Sequence, residues 1–217
     1  MNKDRIKLEV ALAKYLITNK VKKLQLGCGP NPIEGFFNTD IRPFENVYYV
    51  DECQPLPFRD ETFHFIFLEH NFEHLSYQEG RALLRECFRI LKPGGVLRLT
   101  TPCLEFLLNI YQHPETEQSQ NYMNWHFQKY APEMYNDFAG ELPPALLISN
   151  FMRFWGHKCL YDHSTIQRCL ELAGFRDVQF CEIGKSDHIE LQNLEHHQNV
   201  IPAQFNAMET MCLEAVK

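Results

Sequence analysis

The chain has 217 residues, enough to bury one sizeable core, and 45% of them are hydrophobic and 23% charged, as is typical of a globular protein. With a net charge of −7, the protein lacks the overall positive charge that nucleic acid and anionic membranes attract, so we expect neither as a partner. The 8 cysteines form no CxxC pair and the N-terminal residues contain no long apolar run, which predicts reduced thiols in a cytoplasmic protein without a signal peptide.

Hydrophobic periodicity divides the chain into helices and strands. The fourth predicted strand, FHFIFLE, is apolar almost throughout, which indicates burial on both faces of a sheet. Short connections between the first elements favour an α/β architecture with a mostly parallel sheet. The predicted helices are 3–18, 77–91, 145–155 and 164–172, and the predicted strands are 23–26, 36–41, 47–50, 63–69, 96–101, 178–183 and 211–216.

Residues 113–150 interrupt this pattern. A polar run, HPETEQSQ, is followed by several aromatic residues and a Pro-Pro pair. A connection of this length is typical of a lid or binding insertion, and the alternative is a helical elaboration that packs on the sheet. Because no domain boundary is visible, the sequence predicts a single domain over 1–217 with a helical and aromatic insertion at about 113–155.

The stretch LQLGCGPNPIEGFFNTD, at 24–40, carries the first functional signal. A strand that stops at Gly27 and Gly29 lets the backbone approach a ligand where a Cβ would collide. Asp40 closes the next strand, where a carboxylate is well placed to accept hydrogen bonds from ribose hydroxyls. A dinucleotide-binding unit needs a crossover helix and an acid roughly 20 residues on. The short span from Gly29 to Asp40 contains two prolines and has no room for that helix, which argues against a nicotinamide-dependent dehydrogenase.

Longer motifs connect this stretch with a known family. The motifs are DECQPLPFRDETFHFI at 51–66, HNFEHL at 70–75, EGRALLRECFRILKPGGVLRLTTPCLE at 79–105, GHKCLYD at 156–162 and LELAGF at 170–175. In order, and over nearly the whole chain, they resemble class I S-adenosylmethionine-dependent methyltransferases, and most of all a small bacterial group of the type-11 kind. The resemblance implies a Rossmann-like methyltransferase fold, with a seven-stranded, mostly parallel sheet whose last strand is antiparallel and lies between strands five and six.

The resemblance also implies S-adenosyl-L-methionine as the cofactor. We expect the glycine turn to cradle it, Asp40 to accept its ribose hydroxyls, and an acid before PLPF to contact its adenine. That acid is Asp51, or Glu52 if the correspondence slips by one residue. The shortened first crossover implies that the N-terminal helix or the aromatic insertion covers one side of the cofactor. The predicted cofactor-binding residues are Gly27, Cys28, Gly29, Asp40, Asp51, Glu52 and Glu69.

The motif HNFEH, at 70–74, matches the inverted zinc-protease pattern H-x-x-E-H. That chemistry needs a helix of several turns and a third ligand, whereas this motif directly follows a buried strand, so we predict no metal site. One alternative is a capping turn in which Glu73 and His74 satisfy backbone groups. The other is a site in which His70 or His74 takes a proton from the acceptor, because the pKa of histidine lies near the working pH.

The motif GHKCLYD supplies a further candidate. The resemblance places His157 or Tyr161 towards the substrate, and the alternative is a loop that only caps a helix through Asp162 or Ser164. The predicted catalytic residues are His70, His74 and His157.

We therefore expect an enzyme that uses S-adenosylmethionine to methylate oxygen or nitrogen of a small-molecule or sugar-like acceptor. The absence of an NPPY or DPPY tetrapeptide after strand four argues against amide or nucleobase nitrogen. Pro30, Asn31 and Pro32 follow Gly29 where the family often has a third glycine, and His64 replaces a usual Asp. These departures leave open a non-catalytic protein that binds S-adenosylmethionine or S-adenosylhomocysteine. The HNFEH motif leaves open a metal-dependent hydrolase.

Overall fold

Within residues 3–42, 44–138 and 141–217, which the computed structural model describes, the chain forms eight helices and seven strands. The helices are α1 (Lys3–Thr18), α2 (Tyr77–Ile90), α3 (Leu104–Gln112), α4 (Glu117–Tyr130), α5 (Pro132–Asp137), α6 (Pro144–Arg153), α7 (His163–Ala173) and α8 (Ala203–Glu209). The strands are β1 (Lys23–Leu26), β2 (Phe37–Asp40), β3 (Tyr48–Tyr49), β4 (Phe63–Glu69), β5 (Leu91–Pro102), β6 (Arg176–Cys181) and β7 (Thr210–Val216). None of the described helices is long and apolar enough to cross a membrane.

The strands form a single sheet in the order β3-β2-β1-β4-β5-β7-β6. The pairs among β1 to β5 are parallel, whereas β7 runs antiparallel to both β5 and β6. The predicted Rossmann-like methyltransferase topology is confirmed, including the antiparallel strand that only the resemblance implies. Because β1, β2 and β4 are parallel, their carboxyl ends at Leu26, Asp40 and Glu69 lie at one edge of the sheet, where open α/β sheets bind ligands.

Tertiary contacts move two element boundaries from their predicted positions. α2 ends at Ile90, and β5 begins at Leu91 rather than at residue 96, because Leu91 already pairs with Phe63 of β4.

The N-cap of α7 is Asp162, whose Oδ1 accepts a hydrogen bond from Thr165 N at 2.7 Å. Of the two predicted caps, Asp162 and Ser164, the helix therefore uses Asp162.

The connection from β1 to β2, residues 27–36, contains no helix, so the predicted shortening of the first crossover is confirmed. Two buried polar side chains hold it instead. Gln25 Oε1 and Asn38 Oδ1 both accept from Ile33 N, at 3.1 and 3.0 Å. Asn38 Nδ2 also donates to Phe36 O at 3.2 Å. These bonds pair backbone groups that a helix would otherwise pair internally, so the loop keeps a defined shape without one.

Helices α4, α5 and α6 form the insertion, and they pack with α3 and α8 around a separate apolar cluster. Leu107 of α3, Tyr122 and Phe127 of α4, Leu147 of α6 and Phe205 of α8 belong to it. Periodicity does not predict α8, because the helix has only 7 residues. The insertion is therefore a packed helical body with its own core beside the sheet.

Candidate functional site

Two glycines with left-handed backbone form the turn after β1, Gly27 at φ 61° and Gly29 at φ 54°. A Cβ at Gly27 would collide with the side-chain amide of Asn71, so this glycine admits Asn71 to the turn. A Cβ at Gly29 would meet no protein atom within 4 Å among the described residues, so the space there is open. Burial, followed by the charge of Asp40, raises the pKa of the Cys28 thiol to about 12, which keeps this thiol protonated at neutral pH.

Asp40 fastens the glycine turn to the end of β2. The residue is 5% exposed; its Oδ2 accepts from Gly29 N at 2.8 Å and its Oδ1 from Arg42 N at 2.7 Å. A carboxylate offers about four lone-pair positions. Both oxygens therefore retain capacity for a donor on a ligand at this edge of the sheet.

The two acids before PLPF have different surroundings. Asp51 Oδ1 accepts from Cys53 N at 3.0 Å, and the residue lines a shallow pocket beside α1. Glu52 Oε1 is buried and has no hydrogen-bond partner among the described residues. Asn71 Oδ1, beside it, is also buried and without a partner there. Burial, followed by the charge of Asp40, raises the pKa of Glu52 to about 8. Glu52, rather than Asp51, therefore presents an unpaired polar atom near the glycine turn.

The segment between β6 and β7 covers the glycine turn. Glu69, at the end of β4, accepts from the backbone N–H groups of His196 and His197 through Oε1, at 2.7 and 2.8 Å. His196, His197 and Val200 then line a cavity of about 170 Å³ together with the glycine turn and Arg42. Neither α1 nor the aromatic insertion, the two covers expected from the sequence, contributes to the lining of this cavity in the described chain. Glu69 orders the cover through hydrogen bonds to its backbone.

A second cavity, of about 290 Å³, adjoins the first, and His70, His197 and Val200 line both. All three predicted catalytic histidines line it, and the insertion and the segment after it contribute aromatic walls. Its polar and aromatic lining consists of His70, Glu73, His74, His126, Tyr130, Phe151, Trp155, His157, His197 and Glu209. Burial lowers the pKa of His126 to about 3, so this histidine is neutral.

Both ring nitrogens of His70 are occupied. Thr210 Oγ1 donates to Asn206 Oδ1, so it must accept from His70 Nε2, which lies 3.0 Å away. His70 Nδ1 lies 3.3 Å from Glu73 Oε1, and a carboxylate accepts. Although burial opposes the charged form, the hydrogen bond and charge of Glu73 raise the pKa of His70. Both nitrogens of His70 therefore face protein acceptors, and its ring stacks on His197 with ring centroids 3.8 Å apart. It has no free lone pair with which to act as a base.

His157 and His74 lie together on the opposite wall. His157 Nδ1 is 2.6 Å from Phe151 O, which can only accept, so Nδ1 carries the proton and Nε2 has a free lone pair. Burial lowers the pKa of His157, which favours this neutral form. The His74 ring meets it edge-on at 5.0 Å. Tyr161, by contrast, is 1% exposed and packs in the core, so it does not face the cavity.

The HNFEH motif does not form the inverted zinc-protease arrangement. Its last three residues lie in a single 3₁₀ turn, Phe72–His74, rather than on a long helix. His70 and His74 therefore do not present their rings one helical turn apart. Glu73 is 1% exposed and accepts from Thr101 Oγ1 at 3.1 Å, so the turn is a buried polar junction between β4 and β5.

Three residues of the site carry little sequence signal. Asn71 lies inside HNFEH, and its place just after the end of β4 is the one indication in the sequence that it belongs to the site. His197 lies in a polar run that reads as a solvated loop. Glu209 belongs to the unpredicted α8, where it accepts from Tyr122 and lies 3.6 Å from His197 Nε2.

Comparisons with known proteins agree on the fold. Residues 35–99 match the model of a family described as a methyltransferase domain. A comparison with curated proteins finds no match. A solved S-adenosylmethionine-dependent methyltransferase from Mesorhizobium loti superposes with a TM-score of 0.51 and 15% identity, covering 97% of this chain and 96% of that one. At this TM-score and sequence identity, the similarity shows a shared fold alone.

Two further solved structures superpose less well. A methyltransferase from Archaeoglobus fulgidus has a TM-score of 0.48 and 18% identity, covering 100% of this chain and 95% of that one. Phosphoethanolamine N-methyltransferase 2 from Haemonchus contortus, in complex with S-adenosyl-L-methionine, has a TM-score of 0.48 and 13% identity, covering 97% of this chain and 52% of that one.

Proposed function

We propose that the chain is a class I S-adenosylmethionine-dependent methyltransferase of the type-11 kind, and that it methylates a small-molecule acceptor held in the second, histidine-rich cavity. One observation carries this proposal: His70, His197 and Val200 line both this second cavity and the first cavity, at the glycine turn. A cofactor in one and an acceptor in the other would meet at that shared wall. The cofactor supplies an electrophilic methyl group, so the protein's main task is to align the two partners.

The glycine turn and the side chains packed around it offer groups that suit the cofactor's ribose and adenine. Ribose hydroxyls and the adenine amino group are donors, and Glu52 Oε1 and Asn71 Oδ1 are buried acceptors without partners among the described residues. Asp40 has lone pairs left after its two backbone bonds. The open space at Gly29 admits a ligand against the backbone. We assign Asp40 to the ribose and Glu52, in preference to Asp51, to the adenine end.

The second cavity suits a small acceptor. Its volume of about 290 Å³ is just below the roughly 300–1,000 Å³ of small-molecule sites, which suits a small ligand. Tyr130, Phe151 and Trp155 give it an apolar side, and the histidines give it a polar one. We assign His74 and His157 to the acceptor's oxygen or nitrogen, which they contact either directly, by taking its proton, or through a bound metal ion. His70 is not assigned as the base, because both of its nitrogens face protein acceptors.

Methyl transfer itself tests the proposal. With methyl-labelled S-adenosylmethionine and a cell extract separated by size, we expect label in the low-mass fraction and stoichiometric release of S-adenosylhomocysteine. Trp155→Ala should reduce this transfer about tenfold through lost aromatic contact, with cofactor affinity unchanged. Tyr111→Ala, at a surface residue outside the cavity, serves as the control. Label found only in protein or nucleic acid would contradict the small-molecule acceptor.

Gly29→Ala should weaken binding of S-adenosylmethionine by about 10–100-fold, because the new methyl group occupies the ligand's space and displaces it. Gly94→Ala is a matched control: Gly94 also has positive φ (74°) and open space for a Cβ, but it lies at the far end of β5. Both variants should lose similar stability, about 1–2 kcal/mol, from the left-handed backbone. Calorimetric titration and urea unfolding separate the two effects, and equal cofactor affinity in both variants would place the ligand elsewhere.

A further inference from the structure

We propose that Glu73, His74 and His157 bind a divalent transition-metal ion, zinc first, on the polar wall of the histidine-rich cavity. Each residue offers one ligand atom, and these three atoms lie within 4.8 Å of one another. Zinc bonds of about 2.0–2.1 Å in a tetrahedral site place ligand atoms roughly 3.4 Å apart. Small side-chain rotations therefore bring the three atoms to bonding distance around one ion.

Hydrogen bonds behind the ligands hold them in position. His157 donates from Nδ1 to Phe151 O, which directs the free Nε2 lone pair away from that bond. Thr101 Oγ1 donates to Glu73 Oε2 at 3.1 Å. Histidine ligands in proteins commonly donate their other N–H to a carbonyl, and ligating carboxylates are themselves hydrogen-bonded. The outer contacts of a metal site are thus already formed.

The two chain segments that supply the ligands are joined by backbone hydrogen bonds. Glu73 O accepts from Lys158 N at 2.8 Å and from Cys159 N at 3.2 Å. These bonds fix the 3₁₀ turn that carries Glu73 and His74 against the strand-like segment that carries His157. Metal affinity depends on such preorganisation, since a loose site loses entropy when it closes.

The charge balance favours a dication. Glu73 is buried, and Glu209 lines the same cavity, so a second carboxylate lies on the lining besides the ligand. His70 is not a ligand, because both of its nitrogens are hydrogen-bonded. Two histidines and one carboxylate are the ligand set of catalytic zinc sites that keep the fourth position open. Glu73, His74 and His157 all line the cavity, so an ion held by them would be accessible from it. On the proposed function that ion would bind the acceptor's oxygen or nitrogen; ion binding itself does not depend on that function.

Metal titration without cofactor tests the inference. Protein freed of metal by chelation should bind one equivalent of Zn²⁺ by calorimetry, and Co²⁺ in its place should give visible absorption bands of a nitrogen- and oxygen-ligated site. His157→Gln and His74→Gln should each weaken binding by more than about 100-fold, beyond the 10–100-fold that loss of an outer hydrogen bond costs. Thr101→Val, which removes only such an outer bond, should fall within that 10–100-fold range.

A second cluster, outside the cavity, provides the control. Cys103, Glu105 and His163 also bring ligand atoms within 4.8 Å of one another, and Glu105 is exposed, whereas the cavity ligands are buried or half-buried. His163→Gln should leave the single equivalent intact. Binding that His163→Gln abolishes, or that survives both His157→Gln and His74→Gln, overturns the inference, as does the absence of saturable binding in the parent protein. Circular dichroism of each metal-free variant confirms folding, and retained methyl transfer without metal would refute the ion's role but not the proposed function.

Discussion

Asp40→Ala is expected to reduce affinity for S-adenosylmethionine by about 2–4 kcal/mol, roughly 30–1,000-fold. The carboxylate has two tasks. It holds the glycine turn through Gly29 N and the bend after β2 through Arg42 N, and on the proposed function it accepts the ribose hydroxyls. Alanine removes both, so the ligand loses charged hydrogen bonds and must also order a loosened turn. Asp40→Asn should recover little, because both carboxylate oxygens accept from N–H groups and an amide supplies only one acceptor.

Asp51→Asn is the matched control for this prediction. Asp51 belongs to the same region and carries the same charge, but its Oδ1 only accepts from Cys53 N within its own turn. Cofactor affinity should stay within about twofold, since an asparagine oxygen can make the same turn. Calorimetry at one ionic strength compares the two variants. Equal losses in both would return Asp51 to the adenine end, and an unchanged affinity in Asp40→Ala would refute the ribose assignment.

Arg98→Met is expected to lower the free energy of unfolding by about 3–5 kcal/mol. Arg98 lies on β5 and is 0% exposed. It donates from Nε to Glu195 Oε1 and from Nη1 to Glu214 Oε1, both at 2.6 Å. Methionine fits the space but leaves two buried carboxylates facing each other without a cation. Urea unfolding followed by circular dichroism measures the loss, which is a large share of the 5–15 kcal/mol of a typical domain.

A triple variant separates lost packing from uncompensated charge. Arg98→Met combined with Glu195→Gln and Glu214→Gln removes all three charges and should recover much of the stability that the single variant loses. Glu195 directly precedes the two histidines that cover the glycine turn, so the single variant should also bind cofactor more weakly. A loss below about 1 kcal/mol in Arg98→Met would mean that water reaches the two carboxylates.

The sheet was predictable where a strand or helix carries its own pattern. FHFIFLE is apolar on both faces, and the α2 region has a single apolar stripe, so β4 and α2 appear within a residue or two of their predicted bounds. β5 begins early because Leu91 pairs with a neighbouring strand, which a local pattern cannot show. Only the resemblance predicted that β7 is antiparallel, because the direction of a strand does not change the periodicity of its hydrophobic residues.

The site was predictable only at its local parts. Gly27, Gly29 and Asp40 indicate a ligand-binding turn, because glycines after a strand let the backbone approach a ligand and an acid at the next strand end can accept its hydroxyls. The structure brings the three residues together. The choice between Asp51 and Glu52 depends on how one turn rotates, which spacing cannot resolve. His196 and His197 reach the turn only because Glu69 binds their backbone, a contact between distant parts of the chain.

The buried Arg98 also constrains how the chain is made. Its two carboxylate partners are 97 and 116 residues further along, Glu195 in the connection before β7 and Glu214 on β7 itself. A ribosome releases β1 to β5 long before either partner exists, and a guanidinium without partners keeps that face of β5 in water. The nascent sheet therefore stays incomplete at β5 until β7 arrives, and the same late segment delivers the cover over the glycine turn. A translation product that stops after β6 would leave the β5 edge unpaired and free to associate with another chain. Because it would also lack the cover over the glycine turn, the cofactor could not stabilise it.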